Sequence, residues 1–252
     1  MKALRNKALG WGIGGVLAII AALPAFAAQL AIIIDDLGYQ PLPPQLAALP
    51  PEIGVSILPD TPYAHAIHQQ ARQQHRDILL HMPMEPSRKA PLEQTTLTKT
   101  MGKGELQLAL KRALAQLPGA FAINNHMGSA LTQDRQAMIW VMETLAEQQL
   151  AFLDSRTSAQ SVAEAIAVQY HVPALRRHVF LDHQRTTDFI SHQLRLAARK
   201  AQSQGYAVAI GHPYPVTLSA LERQLPAIAD KYGITLVRLS SLYPAPPAKT
   251  DD

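Results

Sequence analysis

The sequence predicts an α/β fold, a distorted (β/α) barrel of seven or eight parallel strands in a single domain that follows an export leader. Three observations predict it. Apolar runs of strand length alternate with stretches of helical periodicity from residue 30 to residue 237, an order that places helices outside a parallel sheet. Eight such runs suit a closed or nearly closed barrel, with a doubly wound open sheet as the alternative. Polar residues able to do chemistry gather where the runs end, which is the active face of a barrel of this kind.

Lys2, Arg5 and Lys7 precede an apolar stretch from about Leu9 to Leu23, and Pro24-Ala-Phe-Ala-Ala28 follows. A basic start, an apolar core and small residues at a cleavage site read as a signal peptide over residues 1–27. An uncleaved anchor is the alternative, but the glycine-interrupted core is short for a span. The chain holds 23 basic and 19 acidic residues, and three of the basic ones lie in this leader, so the remainder is close to neutral. With no dense Lys/Arg run, nucleic acid is excluded as a partner. Zero cysteines exclude disulfides, thiolate ligands and cysteine nucleophiles. The domain is expected over residues 28–242, and the Pro/Ala-rich end, residues 243–252, is expected to be disordered.

The first strand is Leu30-Ala-Ile-Ile-Ile34, closed by Asp35 and Asp36. Its unbroken apolar run marks a strand buried on both faces. A short helix follows to about Leu49, then a strand over 53–58 and a helix from a Thr61 cap to about His75. The third strand is Asp77–His81, after which Pro83 and Pro86 forbid helix and central strand. Residues 87–103 form a long loop, of the kind that is usually functional or mobile. A helix over 105–116 is stopped by Pro118-Gly119, and a strand over 120–124 runs into Asn125-His126-Met-Gly-Ser129. Thr132 caps a helix over 133–149. Strands then follow at 151–154, 179–181, 206–210 and 234–237, with helices at about 161–170, 188–203 and 218–231 between them.

The strands finish with Asp35-Asp36, His81, Asn124-Asn125-His126, Asp154-Ser155-Arg156, Asp182-His183 and Gly211-His212. One such His is an ordinary packing or capping residue. Several strand ends with the same chemistry converge on one site. Histidines with carboxylates and no sulfur suit zinc or another divalent transition metal. Two adjacent aspartates permit a division of labour, one binding metal and one accepting a proton from water. Adjacent side chains on a strand point to opposite faces, so the turn must rotate them if both serve one site.

These residues resemble a family. Ile-Ile-Asp-Asp-Leu-Gly is similar to the first motif of polysaccharide deacetylases, and Ala-Ile-Gly-His-Pro to their last. The stretches Leu-His-Met-Pro-Met-Glu-Pro, Ile-Asn-Asn-His-Met-Gly-Ser and Phe-Leu-Asp-Ser-Arg-Thr-Ser resemble the divergent branch of that family, and the likeness covers essentially all of the chain after the leader. It implies Asp35 as catalytic base, Asp36 as metal ligand and His212 as the acid that protonates the leaving amine. The main family's His-x-x-x-His pair is absent. His81 and His126, one from each strand end, are therefore expected to join Asp36, with Glu85 as a further candidate ligand. Asn125, Asp154 and Arg156 are expected to bind substrate. Arg156 could instead orient Asp35 or pair with Asp154 or Asp182. The expected activity is metal-dependent removal of N-acetyl or O-acyl groups from an envelope glycan such as peptidoglycan, in the periplasm, with zinc as cofactor and an envelope protein as a possible partner. A non-catalytic glycan-binding or regulatory protein on a degenerate deacetylase scaffold is the alternative.

Overall fold

The computed structural model describes residues 27–244. The expected signal peptide, apart from its last position, and the expected tail beyond Pro244 lie outside the described residues. Among the described residues no helix is long and apolar enough to cross a membrane.

Nine strands form one sheet: β1 (Ala28–Leu37), β2 (Gly54–Ile57), β3 (Ile78–Met84), β4 (Ala122–Met127), β5 (Ala151–Asp154), β6 (Ala174–Arg176), β7 (Val179–Phe180), β8 (Tyr206–Gly211) and β9 (Ile234–Leu236). The order is β6-β5-β4-β3-β2-β1-β8-β7, and β9 pairs with the start of β1. Every pairing between these strands is parallel. The helices α1 (Pro44–Ala48), α2 (Ala64–Gln73), α3 (Lys103–Ala115), α4 (Arg135–Gln148), α5 (Ala163–Gln169), α6 (Thr187–Gln204) and α7 (Pro215–Tyr232) fill the crossovers. This is the expected distorted α/β barrel in a single domain.

The strand β6 was not expected, because Pro173 and three mixed residues carry no apolar run. Only Arg177 and His178 separate it from β7. The Arg177 amide donates to Asp154 O at 2.9 Å and the His178 amide to Val208 O at 2.8 Å. One extended segment therefore switches partner from β5 to β8 and joins the two ends of the hydrogen-bonded path.

Alternation sorts the side chains into two cores. On β1, Leu30, Ile32 and Ile34 face outward and pack with the helices. Ala31 and Ile33 face inward, with Leu79, Ala122, Ala151, Leu153, Val208 and Ile210. Both sets are buried, so the run is apolar at every position. The closed end of the barrel is plugged by the 3-10 turn Leu239–Leu242. Asp77 accepts from the Ser240 amide at 2.7 Å and its hydroxyl at 2.9 Å. Tyr243, assigned by sequence to the tail, is seated here: its hydroxyl donates to Phe152 O at 3.0 Å and its ring meets Phe121 edge-on.

Three local expectations are corrected. Pro83 lies inside β3, paired with His126. It is tolerated because β2 ends opposite Leu80, so no neighbouring strand asks for the missing N–H; Pro83 O accepts from Leu97 of the long loop at 2.9 Å. Asp134, rather than Thr132, caps α4, accepting from the Ala137 amide at 2.9 Å. Thr132 instead donates its hydroxyl to Gly128 O. Thr61 likewise bonds back to Leu58 O and does not cap α2.

Candidate metal centre

The inward parity that fills the barrel with alanine and aliphatic residues continues to the mouth. Two positions beyond Ile33 is Asp35; beyond Leu79 is His81; beyond Ala122 are Asn124 and His126; beyond Leu153 is Ser155; beyond Ile210 is His212. Of this last layer of the barrel interior, Asp35, His81, His126, Ser155 and His212 line a cleft of about 440 Å3, with Asn124 buried beneath them.

Asp36 is out of parity and reaches the same mouth by a local irregularity. Between Ile34 and Leu37 the register slips, three β1 steps matching two on β2. Within this bulge Asp36 is left-handed, with φ 58°. Asp tolerates that region better than most residues. The required rotation of one aspartate against the other is supplied here. Gly38 follows at φ 138°, where a Cβ would run into the Thr61 side chain.

Three ligand atoms converge. Asp36 Oδ1 lies 3.0 Å from His81 Nε2 and 2.9 Å from His126 Nδ1, and the two nitrogens lie 3.2 Å apart. Among the described residues this trio is the group placed to hold a cation. Asn124 sets the His81 tautomer. Its amide nitrogen donates to both oxygens of Asp35, at 2.9 and 3.0 Å. Its carbonyl oxygen accepts from the Ser56 hydroxyl and faces His81 Nδ1 at 2.9 Å. His81 Nδ1 must then carry a proton, and Nε2, which hydrogen-bonds Asp36 here, is the nitrogen that can ligate once its own proton leaves. A carboxylate and two imidazoles, one with its tautomer fixed from behind, fit a divalent transition metal with positions left for water.

The electrostatics agree. Burial pushes the Asp36 carboxyl up, but hydrogen bonds from His126 and His81 outweigh it and hold it well below the usual carboxylate range. Burial disfavours charge on His81, yet Asp35 and Asp36 raise its pKa from 6.5 to about 9. Burial raises Asp35, with His81 opposing. His212 Nδ1 lies 2.8 Å from Asp182 Oδ1, and Asp182 Oδ2 accepts from the His212 amide and the Thr217 hydroxyl, both at 2.7 Å. Its Nε2 faces Asp36 Oδ2 at 3.5 Å. Burial lowers the His212 pKa, and the Asp182 bond and nearby carboxylates raise it overall.

The structure brings Asp35, Asp36, His81, His126 and His212 into one cleft, with Asn125 and Arg156 on its wall. Asp154 is corrected: its parity is outward, it is 1% exposed, and it accepts from the Arg156 amide at 2.7 Å, so it shapes the turn and lines no part of the cleft. Asn125 lines the cleft, and its amide also bonds Met127 O, Thr157 and the Ser155 amide. Arg156 sits 3.8 Å from Asp154 and donates to Ala159 O, away from Asp35. Glu85 turns to the Lys99 amide at 2.7 Å and ties down the long loop. His183 faces outward against Phe189. Asn124 and Ser155 stand among the strand-end residues but had no role assigned, and Ser56 and Arg177 were missed, although the period-two alternation points to Asn124, Ser56 and Ser155. Arg177 donates to Ser155 O at 2.7 Å and Arg156 O at 2.9 Å from the segment that closes the barrel, which no apolar pattern announces.

Fold and mouth together define a class, an α/β barrel with a one-carboxylate, two-imidazole centre at the carboxyl ends of its strands. Residues 32–243 match the divergent polysaccharide deacetylase family, and the chain belongs to that family. An uncharacterized protein of Haemophilus influenzae is 41% identical over 217 residues, which cover 85% of this chain and 76% of that protein. The crystal structure of an uncharacterized protein from Agrobacterium tumefaciens superposes with a TM-score of 0.82 at 26% identity, covering 88% of this chain and 91% of that one. The catalytic domain of a peptidoglycan N-acetylglucosamine deacetylase from Eubacterium rectale has a similar fold, with a TM-score of 0.54 at 12% identity over 84% of this chain and 88% of that one.

Proposed function

We propose that the protein is a metal-dependent hydrolase of the bacterial envelope that removes N-acetyl groups, or related acyl groups, from a glycan such as peptidoglycan. The observation that carries this reading is the meeting of Asp36, His81 and His126 at one point, with Asp35 behind them and His212 across the cleft. Asp36, His81 and His126 would hold the cation, zinc by its donor set. When bound, such an ion polarises a carbonyl oxygen and lowers the pKa of water towards about 7.

The chain's own groups divide the proton work. Asp35, held by the Asn124 amide, accepts a proton from the attacking water. His212, held through Nδ1 by Asp182, gives a proton from Nε2 to the leaving nitrogen. The carbon–nitrogen bond breaks, water supplies the new carboxylate oxygen, and acetate and a free amine leave. The Asp182 bond and the nearby carboxylates outweigh burial and raise the His212 pKa, which favours its acid form.

The alternative, a non-catalytic glycan binder, was motivated by the missing His-x-x-x-His pair. Assembly of two imidazoles from separate strands weighs against it. An exported, periplasmic location accords with the leader-like residues 1–27. The test is acetate release from N-acetylated glycans with zinc present, wild type against Asp35→Asn. Loss of about 10²–10⁴-fold with metal content retained is expected. Equal release by both proteins would defeat the proposal.

A further inference from the structure

The cleft does not end at the metal centre. Met127 and Thr157 line it and also line an adjoining groove of about 600 Å3, walled by Pro86, Arg88, Ser129, Gln133, Ser158 and Gln160. The walls are made by the loop after β3, which carries Pro86 and Arg88, and by the turns after β4 and β5, where Met127 (φ 53°) and Arg156 (φ 51°) are both left-handed. The cleft alone, at about 440 Å3, matches a small ligand, for which sites span about 300–1,000 Å3. The groove adds a comparable volume to one side.

Its chemistry is specific. Hydroxyls and amides of Ser129, Gln133, Ser158 and Gln160 suit sugar hydroxyls. The charges are one-sided. The cleft's carboxylates, Asp35 and Asp36, are occupied by Asn124 and the two imidazoles. Arg156 has a distant partner in Asp154, and Arg88 makes no ion pair among the described residues. Guanidinium groups favour planar, bidentate anions such as carboxylates.

We propose that the cleft and groove form one track for an extended, carboxylate-bearing glycan, with the acylated sugar at the metal centre and carboxylates of neighbouring sugars at Arg156 and Arg88. The proposal rests on the deacetylase reading for the placement of the acylated sugar. The test is calorimetric binding to the zinc-loaded protein. The probes are a peptidoglycan-backbone tetrasaccharide stripped of peptide, which bears lactyl carboxylates, the neutral tetramer of N-acetylglucosamine, and the disaccharide of each. At least tenfold tighter binding of the acidic tetrasaccharide than of its disaccharide or the neutral tetramer is expected, weakening at raised salt. Arg88→Gln and Arg156→Gln should each reduce that preference several-fold. Equal affinity for acidic and neutral tetramers, or arginine variants with wild-type preference, overturns the proposal. So does a loss that falls equally on both glycans, the mark of a merely structural role. Acetate release measured in parallel separates the two readings. Preference without release from any glycan removes the deacetylase reading and leaves the track. Release without preference does the reverse.

Discussion

His81 Nδ1 and Asn124 Oδ1 lie 2.9 Å apart, and this one hydrogen bond decides which ring nitrogen of His81 looks into the cleft. Asn124 is simultaneously the donor that holds Asp35 and the acceptor of Ser56. Removing it touches the proposed base and a proposed ligand together. Asn124→Ala is expected to weaken zinc binding by about 10–100-fold, the usual cost of losing a partner behind a ligand. Orphaning the buried Asp35 and Ser56 should cost about 1–3 kcal/mol of stability as well. Competitive zinc titration and urea unfolding read the two effects separately, and wild-type zinc affinity in the variant would refute the tautomer argument.

The pair His212–Asp182 makes a different prediction. Burial works against charge on His212, and the Asp182 bond is the chief influence raising its pKa. Asp182→Asn keeps the shape and removes the charge, so the His212 pKa should fall. If His212 must be protonated to act, the alkaline limb of the activity profile should move to lower pH. A pH–rate profile of the variant checks this, and an unmoved alkaline limb would exclude His212 as the acid.

Metal and protons compete for His81. Its folded pKa of about 9 exceeds the ordinary 6.5, so the folded state holds the proton more tightly than the unfolded chain. That stabilisation is complete below pH 6.5 and disappears as pH rises through about 9. In chelator, the melting temperature should fall across this window. With zinc, binding strengthens as the proton leaves, so the gap between the two melting curves should widen. A constant gap would count against His81 as a ligand.

Far from the cleft, Arg76 is buried and donates to the carbonyls of Leu46, Ala47, Leu49, Pro50 and Ile53. No lysine can reach five acceptors from one planar head. Arg76→Ala should cost about 3 kcal/mol or more by leaving buried carbonyls unpaired, and Arg76→Lys should recover only part. Chemical denaturation measures both, with acetate release from the folded fraction expected to persist.

Much of the barrel was legible because its strands are buried on both faces, so that Leu30–Ile34, Ile78–Leu80 and Ala207–Ile210 read as unbroken apolar runs. The candidate metal trio was legible for a related reason: its members stand where apolar runs end, at the carboxyl ends of the strands. What alternation could have added is the distinction between Ser155, which lines the cleft, and Asp154, which does not, and between Asn124, which turns under the cleft to Asp35 and His81, and Asn125, which ties together the turns after β4 and β5. The bulge at Asp36 hides from any such count, since it breaks the period it sits in. Short β6 and the role of Arg177 were invisible because they depend on where the barrel's last ladder finds its partners.

That segment has a consequence for the protein's behaviour in a crowded compartment. Because Ala174–Arg176 and Val179–Phe180 belong to one run, β5 and β8 each already have a neighbour in the same short segment, and the peptide groups they would otherwise offer along that stretch are taken. Unzipping one flank must drag the other with it. Strands β5 and β8 should therefore resist pairing with a foreign strand for as long as this segment stays seated.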